Sequence, residues 1–154
     1  DGSLDLADDI LKELDVVIGA VHSDFKLSRE KQTERILRAM DNPLFNILAH
    51  PSGRLINVRE PYEVNLERLI EAAAERGCFM ELNAHPDRLD LNDVFCKKAK
   101  DLEVKIAVST DAHSINSLDY MRLGVQQARR GWLEPDDVLN TRGWKALKKM
   151  LQRS

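Results

Sequence analysis

Four histidines, His22, His50, His85 and His113, each follow a short apolar run, and His113 lies two residues beyond Asp111. Imidazole nitrogen suits zinc, manganese or iron, and carboxylate oxygen suits magnesium, manganese or zinc. Asp111 and His113, two apart in a segment read as extended, are expected to share a face. His22 and His50 would add two nitrogens. A His, His, Asp, His set that leaves one coordination position open is catalytic rather than structural. Each residue also has a plainer reading. A histidine at a strand end is commonly just a satisfied polar group, and Asp111 can cap the next helix. What favours a metal is their coincidence at one place in every repeat. Glu81 and Asn83 can hydrogen-bond neighbouring loops or orient a ligand histidine from behind it. His85, ahead of Pro86, reads with them or as a loop residue of no direct role. Arg54 and Arg88 are loop arginines near the same edge, of the type that holds phosphate in bidentate fashion.

These side chains need a scaffold, and the hydrophobic pattern supplies one. Apolar, β-branched runs at 15–21, 46–49, 78–83 and 105–109 predict four strands. Between and after them, helical spacing predicts helices at 28–40, 65–76, 92–102, 117–130 and 144–152. Ile36, Leu37 and Met40 fall on one face of the first of these, and Leu66, Leu69, Ile70 and Ala73 on one stripe of the second. Ser28 is a candidate N-cap and Gly77 a candidate helix-terminating glycine. Strand and helix alternating four times predict βαβ units with right-handed crossovers and a parallel sheet. The near-continuous apolar strands further predict a sheet covered on both faces. His22, His50, Asn83 with His85, and Asp111 with His113 then all stand at carboxyl ends of strands, the edge where ligands bind in parallel α/β folds.

The bulk properties agree with a single α/β domain over residues 1–154. The chain is 17.6 kDa, 43% hydrophobic and 32% charged, which excludes a disordered or collagen-like chain. No stretch approaches the ~20 apolar residues of a membrane span. The start, Asp1-Gly2-Ser3-Leu4-Asp5, is too acidic for a signal peptide. Two cysteines, Cys78 and Cys96, form no CxxC pair, and a reduced, cytoplasmic setting is expected. Net charge −3 and pI about 5.8 argue against a surface devoted to nucleic acid. One local exception is the tail, where Arg142, Lys145, Lys148, Lys149 and Arg153 have no acid among them. Such a segment can touch phosphates, although a solvated helix face is the plainer reading. There is no GxSxG elbow, Gly-rich phosphate loop or GxGxxG. Cys78 begins a strand and Cys96 lies in a helix, so neither reads as an activated nucleophile. The stripe Met121, Val125, Ala128 reads as core.

Four segments carry a resemblance. Ile18-Gly19-Ala20-Val21-His22-Ser23, Leu48-Ala49-His50-Pro51-Ser52-Gly53-Arg54, Met80-Glu81-Leu82-Asn83-Ala84-His85-Pro86-Asp87-Arg88-Leu89-Asp90-Leu91 and Ser109-Thr110-Asp111-Ala112-His113-Ser114 resemble the later motifs of the PHP (polymerase and histidinol phosphatase) domain. The version carried by prokaryotic family X DNA polymerases is the most similar, and residues 128–141 also resemble that group. The resemblance implies a partial (β/α) barrel of about four βα units. It implies divalent metals at the strand carboxyl ends, manganese or zinc with magnesium and iron as further options, held here by His22, His50, Asp111 and His113. It implies phosphoester hydrolysis, chiefly removal of nucleotides from DNA 3′ ends. The family's opening His-x-His strand and the histidine and glutamate after it are absent. The chain therefore resembles the second half of the barrel, with weakened metal affinity and water activation expected. A half-barrel would leave two sheet edges unpaired, which predicts self-association. Two other functions stand beside the exonuclease: a small-molecule phosphatase of the histidinol-phosphatase branch, and a non-catalytic metal-binding or structural domain.

Overall fold

The alternating pattern folds as four parallel strands with helices between them, in a computed structural model that describes residues 1–153. The strands are β1 Ile18–Gly19, β2 Ile47–Leu48, β3 Phe79–Asn83 and β4 Ile106–Ser109. The helices are α1 Asp8–Leu11, α2 Arg29–Asp41, α3 Leu66–Arg76, α4 Asp93–Asp101, α5 Met121–Arg130 and α6 Trp144–Leu151. The sheet order is β1-β2-β3-β4, every pair parallel. Each strand thus lies beside its predecessor, so every crossover steps in one direction. Right-handed crossovers of that kind gather α2 to α5 on one side of the sheet, as in part of a β/α barrel.

Helix limits follow from caps. The side chains of Ser28, Asn65 and Asn92 accept from Lys31 N (3.4 Å), Arg68 N (3.1 Å) and Phe95 N (3.0 Å) at the starts of α2, α3 and α4. Gly77 ends α3 at φ 67°, a backbone region that disfavours a Cβ. The expected 117–130 helix divides instead. Residues Ile115–Tyr120 wind as a 3-10 turn, and Ile115 and Leu118 there are exposed, so no packed stripe holds them in α geometry. The expected run 15–21 contributes only two ladder residues. Asn46 ties its start instead: Oδ1 accepts from Val17 N (2.8 Å), while Nδ2 donates to Leu151 O (2.8 Å).

Period-two alternation sorts β3 between two environments. Met80 and Leu82 join Leu48, Ile106 and Val108 against Ile36, Met40, Leu69, Ile70 and Cys96 of the helices. Met40, Leu69, Ile70, Met80 and Leu82 are fully buried, and each contributes about 1.5–3 kcal/mol. On the opposite face Phe79 packs with Ile47, Leu139 and Leu151, under α6. That face turns polar toward the carboxyl end, where Glu81 and Asn83 are buried. The apolar, two-sided covering expected of the sheet therefore holds at its floor and gives way at its top. It also fails on β1, where Ile18 is 59% exposed.

Three further expectations change. The outer edge of β4 is not open: Val138 bridges Ile106, and the Asn140 carboxamide accepts from Val108 N (3.0 Å) and donates to Val108 O (2.9 Å). A side chain here does the work of a partner strand. β1, by contrast, pairs only with β2 among the described residues. The Met121, Val125, Ala128 stripe is core only at Ala128; Met121 and Val125 line an open cavity of about 640 Å³. Much of the basic tail is tied down. Arg142 donates to the carbonyls of Val138 and Asp136, Lys148 pairs with Asp15 (2.9 Å), and Arg153 donates to those of Met40, Asn42, Phe45 and Arg76. Both cysteines are buried thiols, and burial pushes Cys96 up to about 12. Among the described residues no helix is long and apolar enough to cross a membrane.

Close helix-on-sheet packing yields a test. A Cβ at Gly124 in α5 would stand 2.6 Å from Val108 Cγ1 and 2.8 Å from Ala84 Cβ. Gly124→Val should cost about 1–3 kcal/mol by overpacking, read as a lower urea midpoint at unchanged slope. Gly77→Ala meets no neighbour within 4 Å, so its cost should stay near the ~1–2 kcal/mol of a left-handed backbone.

Candidate functional site

The β3–β4 register pairs Glu81 with Ala107 and Asn83 with Ser109, so these side chains project from one face at the carboxyl end of the sheet. The Glu81 carboxylate accepts from His50 N (2.6 Å), Asn83 Nδ2 (3.4 Å) and the Ser109 hydroxyl. It thereby joins the ends of β2, β3 and β4. Burial pushes its pKa up, against the pull of these donors.

His50 is the residue so gripped. Its backbone sits at φ 30°, an uncommon conformation for a residue with a Cβ. Its ring is buried, 5.4 Å from that of His22 at a tilt of 43°, and Nδ1 has no hydrogen-bond partner. Burial first, then the charge of Arg88 and the His22 ring, lowers the imidazole to about 4. It is therefore neutral at pH 7, the form that donates a lone pair to a metal. His22 is exposed.

Asp111 stands at the end of β4 with φ 52°. Its Oδ2 accepts from Arg88 Nε at 3.1 Å. Burial raises its pKa, but a hydrogen bond from Asn83 and the Arg88 guanidinium outweigh that and hold the carboxyl below its ordinary value. The left-handed turn at Asp111 also corrects the expectation of an extended segment. His113 swings out, its side chain 85% exposed, with Nδ1 2.7 Å from Asp111 O and 4.0 Å from Asp111 Oδ1.

The two arginines separate. Arg54 donates to Arg88 O (2.6 Å) and Leu89 O (2.5 Å), which spends its guanidinium on the β3–α4 loop. Arg88 keeps Nη1 buried and without a partner. Asn83 also accepts from His85 N (3.0 Å), and the His85 ring meets Tyr120 edge to face at 5.1 Å. Two contributors escaped the sequence reading. Ser109 is an ordinary strand residue until the register sets it opposite Asn83. Asp90 is buried between Leu89 and Leu91, and its Oδ2 accepts from Ser52 N (2.9 Å), Ser52 Oγ (2.9 Å) and Gly53 N (3.0 Å). A lone acid between leucines was the available signal.

The fold thus brings His22 to His50 and Arg88 to Asp111, with His113 beside Asp111 but largely exposed. Among the described residues no three His, Cys, Asp or Glu side chains are grouped tightly enough to enclose a metal. The donor chemistry nonetheless fits one as a partial set: two imidazoles, one with a partnerless nitrogen, and an ionised carboxylate.

No protein-family description matches the chain. It is 43% identical over all of its 154 residues to the DNA polymerase/3′-5′ exonuclease PolX of Bacillus subtilis, and spans 27% of that protein's length. It is 33% identical over 150 residues to a probable phosphatase of Thermoanaerobacter sp., covering 92% of this chain and 59% of that protein. A probable phosphatase of Caldanaerobacter subterraneus is 34% identical over 122 residues, 73% of this chain and 46% of its own length. Motifs, parallel βα order and these identities agree: the chain is similar to the PolX exonuclease and to probable phosphatases over a part of each, consistent with a C-terminal PHP-like part.

Proposed function

We propose that this chain carries the later strand-end ligands of a metal-dependent phosphoesterase, acting within a longer protein as a 3′-5′ exonuclease on DNA ends. The supporting observation is the state of the carboxyl rim: a neutral, partnerless His50 beside His22, and an ionised Asp111 beside Arg88. His22, His50, Asp111 and His113 would hold a divalent ion, manganese or zinc. Bound there, it supplies Lewis-acid polarisation of a phosphoryl oxygen. The chain's own residues set the stage. Glu81 holds the His50 backbone in place, and burial of the ring beside His22 limits its rotation. Arg88, whose side chain is 19% exposed, would meet a non-bridging phosphate oxygen with the open part of its guanidinium, while Arg54 fixes the loop that carries it. The several relatives named as phosphatases favour a second reading, hydrolysis of small phosphate monoesters. Self-association, expected of open edges, is narrowed to the β1 side because Asn140 and Val138 cover the other.

Two measurements test this. Manganese or zinc at about a hundred times its Kd should add about 2.7 kcal/mol, which raises Tm by about 5–10 °C in a domain of this size. Neither His50→Ala nor Asp111→Ala should show that rise. If the native chain shows no rise and binds no manganese, zinc or iron by elemental analysis, the domain is not a metal site. In the full-length protein, manganese-dependent release of mononucleotides from a single-stranded primer should be abolished by Asp111→Ala. Turnover of phosphate monoesters without nucleotide release selects the phosphatase reading.

A further inference from the structure

Beside the Arg88–Asp111 pair, two aromatic rings face each other from different loops. His85 lies on the β3–α4 loop and Tyr120 at the end of the 3-10 turn that follows β4. Their rings pack edge to face, with centroids 5.1 Å apart and planes at 79°. Both are part-exposed, the His85 side chain at 28%. Hydrogen bonds hold the His85 member of the pair in position relative to Arg88. His85 O accepts from Arg88 N (2.8 Å) and Leu89 N (2.9 Å), closing a tight turn in which His85 and Arg88 stand within about 7 Å at Cα. Asn83 Oδ1 fixes the start of that turn through His85 N (3.0 Å). Arg88 in turn reaches across to Asp111 on the loop that ends in Tyr120. An edge-to-face pair is stable in itself, and both residues here keep part of their surface exposed.

We propose that His85 and Tyr120 form a stacking wall for the base of a nucleotide whose phosphate meets Arg88. This rests on the phosphoester reading and narrows its substrate to nucleotides. Stacking on aromatic rings is sequence-tolerant, because every base has a π-face. The wall therefore adds affinity for the base and little preference among bases.

The test is equilibrium binding to the chain, by calorimetry, of thymidine 5′-monophosphate, deoxyribose 5-phosphate and inorganic phosphate. The nucleotide should bind about five- to a hundredfold more tightly than the sugar phosphate. That ratio should fall to near one in Tyr120→Leu and persist in Tyr120→Phe, which keeps the ring. Should Tyr120→Leu not fold, His85→Leu reads the same ratio. A ratio near one in the native chain overturns the wall, as does a ratio that survives loss of the ring. Failure of all three ligands to bind overturns the phosphoester reading instead, and the wall with it.

Discussion

The carboxyl end of the sheet is organised by one buried carboxylate. Glu81 projects from the central strand into a face that, two residues earlier, is apolar at Phe79. A charge placed there is costly unless hydrogen-bonded, and loss of its partners would cost several kcal/mol. The donors come from three neighbouring strand ends that the sheet register sets side by side: the His50 amide beyond β2, Asn83 on the same strand and the Ser109 hydroxyl on β4. Satisfying Glu81 therefore fixes the relative position of three strand ends. It also holds His50 in a conformation at φ 30° that the residue would not choose alone, and strain of that sort persists only where the surroundings over-determine it.

A second buried carboxylate repeats the device one layer out. Asp90 takes the amides of Ser52 and Gly53 and the Ser52 hydroxyl, joining the loop after β2 to the loop after β3. The body of the domain needs neither acid. Its stability comes from the helix-facing residues of the strands and the stripes of α2, α3 and α4, buried together around Met80 and Leu82. The alternation of β3 thus divides labour along one strand: one set of side chains makes the core, and the other set changes from apolar floor to polar rim.

Most of this body was legible in the residues. Alternating runs gave the strand and helix order, and Ser28 and Gly77 marked real helix ends. The site was legible as a place, the carboxyl edge, more than as a geometry. Spacing arguments assume an extended chain, and Asp111 turns left-handed with no glycine to announce it, so His113 stays beside Asp111 through a turn and with its side chain largely exposed. Arginine type also says nothing about whether the guanidinium is already spent, as that of Arg54 is on two carbonyls. The closure of the β4 edge was hidden for a related reason. It depends on one asparagine amide meeting a backbone pair 32 residues away in sequence, a contact with no periodicity to betray it.

Arg88 shows why these details decide the chemistry. Its single charge acts in two directions at once. It stabilises the ionised form of Asp111 through a 3.1 Å hydrogen bond, and it disfavours the protonated form of His50. An anionic carboxylate and a neutral imidazole are the protonation states that accept a divalent cation. Neither burial nor residue type would produce both, since burial alone drives the acid toward its neutral form. The loop that carries Arg88 is therefore as much a part of the site as the residues that face the ligand. Its rigidity, supplied by Arg54 from below and by the Asn83–His85 contact at its start, is what keeps one cation close enough to set both groups.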